Sequence, residues 1–71
     1  MIKVEVYTST GMRYKIEAEN LGEAKSSAEF MVERDTPEGE SCKWRLFSRN
    51  LRKATPFYIF KNGIHRKLAR A

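Results

Sequence analysis

"FYIFKNGIHRK", residues 57–67, decides how this chain is read. Three of its first four residues are aromatic, an Asn-Gly pair stands in the middle, and basic side chains follow. Asn-Gly is a strong signal for a two-residue type I′ turn between antiparallel strands. Such a turn sets Lys61 opposite Ile64, Phe60 opposite His65, Ile59 opposite Arg66, Tyr58 opposite Lys67 and Phe57 opposite Leu68. One face of the hairpin then carries Phe57, Ile59, Ile64 and Leu68, with Lys61 and Arg66 reaching an edge. The other carries Tyr58, Phe60, His65 and Lys67. The more apolar set predicts the core face, which leaves the second set open to solvent.

Upstream of the hairpin, Cys42, Trp44 and Leu46 alternate with Lys43, Arg45, Phe47 and Arg49, and the alternation predicts a third strand. At the N-terminus, Ile2, Val4 and Val6 alternate with Lys3, Glu5 and Tyr7. Met12, Tyr14, Ile16 and Ala18 then alternate with Arg13, Lys15 and Glu17. A loop of Ser9, Thr10 and Gly11 pairs Thr8 with Met12, with Gly11 in the left-handed position. This register faces Glu5 to Lys15 and Lys3 to Glu17, and such pairs are favourable by about 0.2–1 kcal/mol each. Between the two strand groups, "ENLGEAKSSAEFMVERD" reads as a helix. Asn20 caps it, Glu23 stands at the capping-box position, and Leu21, Ala24, Ala28, Met31 and Val32 form its apolar stripe. The helix ends near Arg34 or Asp35, before a loop holding Pro37 and Gly39. Phe30 lies opposite the stripe, either folded over the helix end or exposed as an anchor for another chain.

The fold class that follows is α+β: a single antiparallel sheet with one helix packed on one face, in the order β-β-α-β-β-β. Seventy-one residues make one domain, spanning 1–71, and a chain this size buries roughly 60 % of its unfolded surface. Val4, Ile16, Ala28, Trp44, Leu46 and Ile59 are the expected shared core. No apolar run approaches the roughly 18 residues of a membrane span, and the strand-like N-terminus does not have signal-peptide order. A lone cysteine, Cys42, fits a reducing compartment. These features predict an intact cytoplasmic protein.

The net charge of +5 is unevenly spread. Residues 1–42 carry a balance of −4, whereas residues 43–71 carry nine cations and no acid. The cationic half suggests a phosphate backbone, an anionic membrane or an acidic protein as partner, against the plainer reading of a soluble basic surface. The strand pattern puts Tyr7, Arg13, Lys15, Lys43, Arg45, Phe47, Arg49, Tyr58, Phe60, His65 and Lys67 on the uncovered face of the sheet. Rings among Lys and Arg can stack bases while the cations meet phosphates. Catalysis has little support. Cys42 and His65, the only thiol and imidazole, fall on opposite faces in this reading. One Cys and one His do not make a zinc site, and no glycine-rich phosphate loop is present. No cofactor is expected.

The stretch "KIEAENLGEAKSSA", residues 15–28, has an outgoing strand ending in Ile-Glu-Ala, then Leu21 opening a helix, then Ala24-Lys25 and Ala28. With "FYIFKNGIHRKL" in the place of a closing hairpin, this resembles a small type I-F anti-CRISPR family of phages and mobile elements. The resemblance covers about two-thirds of the chain, mostly as pattern. It implies a five-stranded antiparallel sheet with one helix. It also implies binding to the backbone subunits of the CRISPR surveillance complex in the host bacterial cell, obstruction of the channel where target DNA pairs with the guide, and basic residues that can touch DNA. Lys25 corresponds to a functional basic position of the family's helix. The next position, basic in the family, is Ser26 here, and a later one is Phe30. A fainter similarity is to a small phage inhibitor of bacterial RNA polymerase. The residues expected to meet a partner are Lys25, Phe30, Lys43, Arg45, Phe47, Arg49, Tyr58, Phe60, Lys61, His65, Arg66 and Lys67. The leading expectation is an inhibitor of a nucleoprotein machine, and the alternative is a nucleic-acid-binding module using the open sheet face.

Overall fold

The computed structural model describes residues 1–48 and 55–68. Five strands and one helix follow in the predicted order: β1 (Ile2–Thr8), β2 (Arg13–Ala18), α1 (Leu21–Asp35), β3 (Cys42–Phe47), β4 (Phe57–Lys61) and β5 (Ile64–Lys67). The strands form one antiparallel sheet in the order β2-β1-β3-β4-β5. Among the described residues no helix is long and apolar enough to cross a membrane.

Both hairpins have the expected register. Thr8 N–H donates to the Met12 carbonyl at 3.1 Å, Gly11 has φ 87°, and Lys3, Glu5 and Tyr7 face Glu17, Lys15 and Arg13. At the other turn, Asn62 and Gly63 take φ 53° and 78°, as a type I′ turn demands of both central residues. Lys61, Phe60, Ile59 and Tyr58 then face Ile64, His65, Arg66 and Lys67.

The helix starts where its cap predicts. The Asn20 side chain accepts from Glu23 N–H at 2.9 Å, and the Glu23 carboxylate reaches back to Glu19 N–H at 3.4 Å. This closes a capping box one residue wider than the usual one. At the far end the Thr36 hydroxyl donates to the Val32 carbonyl at 2.6 Å, and Pro37 prevents another turn. Ala24, Ala28 and Val32 are buried and Met31 packs beside them, but Leu21 stands exposed at the first turn.

The helix packs on β1, β2 and β3. Val4, Val6, Ile16, Ala18, Cys42, Trp44 and Leu46 complete the core beneath it. Ile59 is not part of it. The register of β4 on β3 pairs Trp44 with Tyr58 and Cys42 with Phe60, and it pairs Lys43 with Ile59 and Arg45 with Phe57. Directly paired residues share a face of a sheet. Tyr58, Phe60, His65 and Lys67 are therefore on the helix side. Phe57, Ile59, Lys61, Ile64 and Arg66 are on the open side. This reverses the expectation for the last hairpin, and the cause lies in Trp44. Its ring stacks on Tyr58 with centroids 4.5 Å apart, and its Nε1–H donates to Nδ1 of His65 at 3.2 Å. A buried indole needs an acceptor for its N–H, and the face carrying His65 supplies one.

Helix and sheet are also joined at the β2 end, where the Tyr14 hydroxyl donates to the Asp35 carboxylate. Burial and this bond push the Tyr14 phenol up to about 12, from an ordinary value of 10.0. The Arg34 guanidinium, and then Tyr14, hold the Asp35 carboxyl below its usual range. A lowered carboxyl contributes stability that is present above its unfolded value and is lost as pH falls through its folded value. A raised phenol contributes stability that is present below about pH 10 and is lost as pH rises toward about 12. Tyr14→Phe should therefore lower stability at neutral pH by about 1 kcal/mol, the net worth of one hydrogen bond. It should also flatten the pH dependence of the melting temperature at both extremes. Unchanged acid and alkaline limbs in thermal unfolding of the variant would contradict the assignment.

Candidate functional site

The open side of the sheet is built from every second residue of each strand. One row across it reads Arg13, Tyr7, Arg45 and Phe57, from β2, β1, β3 and β4. Cation and ring alternate along this row. The next row reads Lys43, Ile59 and Arg66. Lys61 and Ile64 follow beside the turn, and Lys15, Glu5 and Phe47 flank the first row on its other side. Neighbouring strands lie about 4.8 Å apart, so the side chains of each row stand next to one another across the sheet.

A shallow cleft of about 510 Å³ opens here, with Tyr7, Phe47 and Phe57 as its aromatic lining and Lys43 and Arg45 beside them. Tyr7, Phe47 and Ile64 are exposed large side chains. The Tyr7 ring meets Phe47 edge-on at 6.1 Å. Its hydroxyl donates to Glu5 at 2.5 Å, and that carboxylate holds the phenol above its ordinary value. The Arg45 guanidinium stands 4.9 Å from the centre of the Phe57 ring, and its Nε–H donates to the Thr55 hydroxyl at 3.3 Å. Thr55 in turn donates to the Leu46 carbonyl. Arg45 is thus held in place before any ligand arrives, which spares the entropy of ordering a long side chain on binding.

The charges divide by layer. Among the described residues the open side holds Lys3, Arg13, Lys15, Lys43, Arg45, Lys61 and Arg66 against Glu5 and Glu17. The part built from β3, β4 and β5 holds no acid. The helix and its flanking loops hold Glu19, Glu23, Glu29, Glu33, Asp35, Glu38 and Glu40 against Lys25 and Arg34, with Lys67 at the rim. The sequence divided charge by chain half. Folding turns that division into two oppositely charged faces.

Of the residues expected to meet a partner, Lys43, Arg45, Phe47, Lys61 and Arg66 come together on this face. Tyr58, Phe60, His65 and Lys67 do not, because they lie on the helix side. Lys25 is there too, its Nζ 4.9 Å from the centre of the Tyr58 ring and 3.8 Å from Glu29. Phe30 stands alone on the outer surface of α1, 65 % exposed. Arg49 lies outside the described residues. Phe57, Ile59 and Ile64 belong to the face and were missed. The signal that could have found them is the unpaired indole N–H of Trp44, which asks for a polar-tipped neighbour across the strand.

The separation of Cys42 from His65 by the sheet also does not hold, because both face the helix. Cys42 is buried, as expected of a small apolar residue. His65 is clasped. Its Nδ1 accepts from Trp44, so the neutral ring carries its proton on Nε2, which lies 3.0 Å from Glu33 Oε1. Comparison with known proteins finds no matching family, no similar curated protein and no similar solved structure.

Proposed function

We propose that this chain is a binding protein that inhibits a nucleic-acid-handling complex, laying the open face of β3, β4 and β5 on a surface that otherwise receives nucleic acid. The observation that carries the reading is the acid-free group of Lys43, Arg45, Lys61 and Arg66 set among Phe57, Ile59 and Ile64. Apolar surface supplies contact area, and the ring of cations supplies steering and register against an anionic site. The acidic helix layer points the other way and repels phosphate, so the molecule can meet such a machine by one face only. The resemblance of residues 15–28 makes the backbone subunits of a CRISPR surveillance complex the first target, in the cytoplasm of a bacterial host, with bacterial RNA polymerase next. No catalytic step belongs to this reading: both ring nitrogens of His65 are engaged and the Cys42 thiol is buried. The test is a purified type I surveillance complex challenged with target DNA in the presence of the protein. DNA binding should fall as the protein saturates the complex, and undiminished binding sinks the proposal.

A second reading, direct binding of single-stranded nucleic acid, is favoured by the row in which Arg45 stands over Phe57 beside Tyr7. It moves the stacking platform from Tyr58 and Phe60 to Tyr7, Phe47 and Phe57. Affinity for a single strand should then fall with salt at a slope of about −0.7 per neutralised phosphate. Phe47→Ala should cost about 1–3 kcal/mol of binding. An absence of binding to any strand at low salt in a fluorescence titration removes this reading and leaves the first untouched.

A further inference from the structure

We propose that the chain associates with copies of itself head to tail, the acidic outer face of α1 in one copy seating on the open sheet face of the next. Two complementarities carry the inference. The first is electrostatic. One face of the molecule gathers cations and the opposite face gathers acids, so the natural counter-surface for either is present on every other copy.

The second is apolar. Phe30 is 65 % exposed on the outside of α1. On the helical wheel its neighbours are Glu23, Ser26, Glu33 and Arg34, with Glu33 also bonded to His65 beneath, and Glu19 precedes the first turn. The open face offers the converse, a cleft of aromatic rings from Tyr7, Phe47 and Phe57 beside Lys43 and Arg45. An exposed ring on the acidic layer is thus complementary to an aromatic cleft bordered by cations, and an aromatic anchor in a desolvated pocket is the usual centre of a protein contact.

The dimensions agree. A helix of 15 residues is about 22 Å long. The outer strands of a five-stranded sheet lie about 19 Å apart, so one helix spans the face. The packing repeats what the chain already does on its other side, where the inner stripe of α1 covers β1, β2 and β3. Knob and cleft lie on opposite sides of one sheet, so two copies cannot exchange both contacts about a two-fold axis. The contact is heterologous, and it adds copies in a row unless a ring closes. It shares the open face with the docking proposed above but does not depend on that reading, and a target complex and a second copy would compete for it.

The test needs only the purified chain. In sedimentation equilibrium at low salt the weight-average mass should climb past that of a dimer as concentration rises. It should fall back when salt screens the rim charges. Phe30→Lys removes the knob, and Lys43→Glu with Phe47→Glu removes the cleft. All three positions are exposed, and circular dichroism checks that each variant keeps its fold. If the double variant does not fold, Lys43→Glu alone replaces it. Each variant by itself should self-associate at least about tenfold more weakly than the parent. Mixed in equal amounts, they should form a dimer and nothing larger, because one chain retains only a cleft and the other only a knob. A parent chain that stays monomeric at low salt overturns the proposal. So does growth that halts at a dimer, or a mixture that forms no dimer.

Discussion

Trp44→Ala should leave the chain largely unfolded at room temperature. The side chain is 1 % exposed and is the largest fully buried one. It ties together four strands: Tyr58 of β4 stacks on it, His65 of β5 accepts its N–H, and Leu46 of its own strand and Val6 of β1 belong to the same core. Truncating such a residue removes its transfer free energy and leaves a void that neighbours fill only in part. The cost is about 3–5 kcal/mol, against a total of roughly 5 kcal/mol for a domain this small. A second loss adds to it. His65 is deprived of the donor that sets its tautomer, so the clasp to Glu33 loosens with the core. Urea unfolding followed by circular dichroism measures the effect. Trp44→Phe keeps the stack on Tyr58 and gives up the N–H donor, so it should cost about 1–3 kcal/mol and still fold. A soluble Trp44→Ala chain with a cooperative transition near the parent's would place the indole outside the core.

Lys43→Glu combined with Arg66→Glu should abolish the docking proposed here while sparing the fold. The two cations flank Ile59 in one row across β3, β4 and β5, and both are exposed. Reversal leaves the apolar strip in place and changes only the sign of its border. Each new carboxylate would face the anionic surface that the cation had matched. For charges desolvated on contact the loss is about 2–5 kcal/mol, and for charges at the rim it appears mainly as a slower association rate. Competition with target DNA on the surveillance complex reads the first, and stopped-flow association reads the second. A reversed chain that inhibits as well as the parent excludes β3, β4 and β5 as the docking surface, whatever the target. Lys3→Glu serves as the contrasting change, since Lys3 lies on the far part of the same face with Glu17 4.0 Å away.

Local chemistry carried most of the fold. The Asn62-Gly63 turn, the Gly11 loop and the Asn20 cap are each decided by a few adjacent residues, and their registers and bounds follow from local backbone sterics and the hydrogen bonds of the cap. The face of the last hairpin is a different kind of question. Alternation says that Phe57 and Ile59 share a side. It does not say which side points inward. Choosing by apolarity failed because α1 packs on β1, β2 and β3 and leaves β4 and β5 at the margin of the helix layer. A marginal position favours residues with an apolar body and a polar tip. Tyr58 meets Lys25, and His65 bridges Trp44 to Glu33. Phe57, Ile59 and Ile64 turn outward as a result and enrich the candidate site. The cations of β3 were legible because Trp44 and Leu46 leave Lys43 and Arg45 only one direction. Strand order was not legible, since a register is local and the neighbour of a strand is not.

The sheet order has a kinetic corollary. Every adjacent pair in β2-β1-β3-β4-β5 joins strands consecutive in the chain, except β1 with β3. That seam runs from Glu5 with Phe47 to Thr8 with Trp44, and Ser9 extends it by bonds to the Lys43 backbone at 2.8 and 3.1 Å. The chain can be assembled as a hairpin and a three-stranded meander, each pairing strands consecutive in sequence, with one distant pairing to be found afterwards. Distant pairings limit the rate in small domains, so the transition state should be the meeting of two preformed halves along this seam. In stopped-flow refolding, a shortened core side chain at Val6 or Leu46 should slow folding. A change at the Asn62-Gly63 turn should alter the rate much less for the same loss of stability. The reverse pattern would mean that the closing hairpin nucleates and the long-range seam zips up after the barrier.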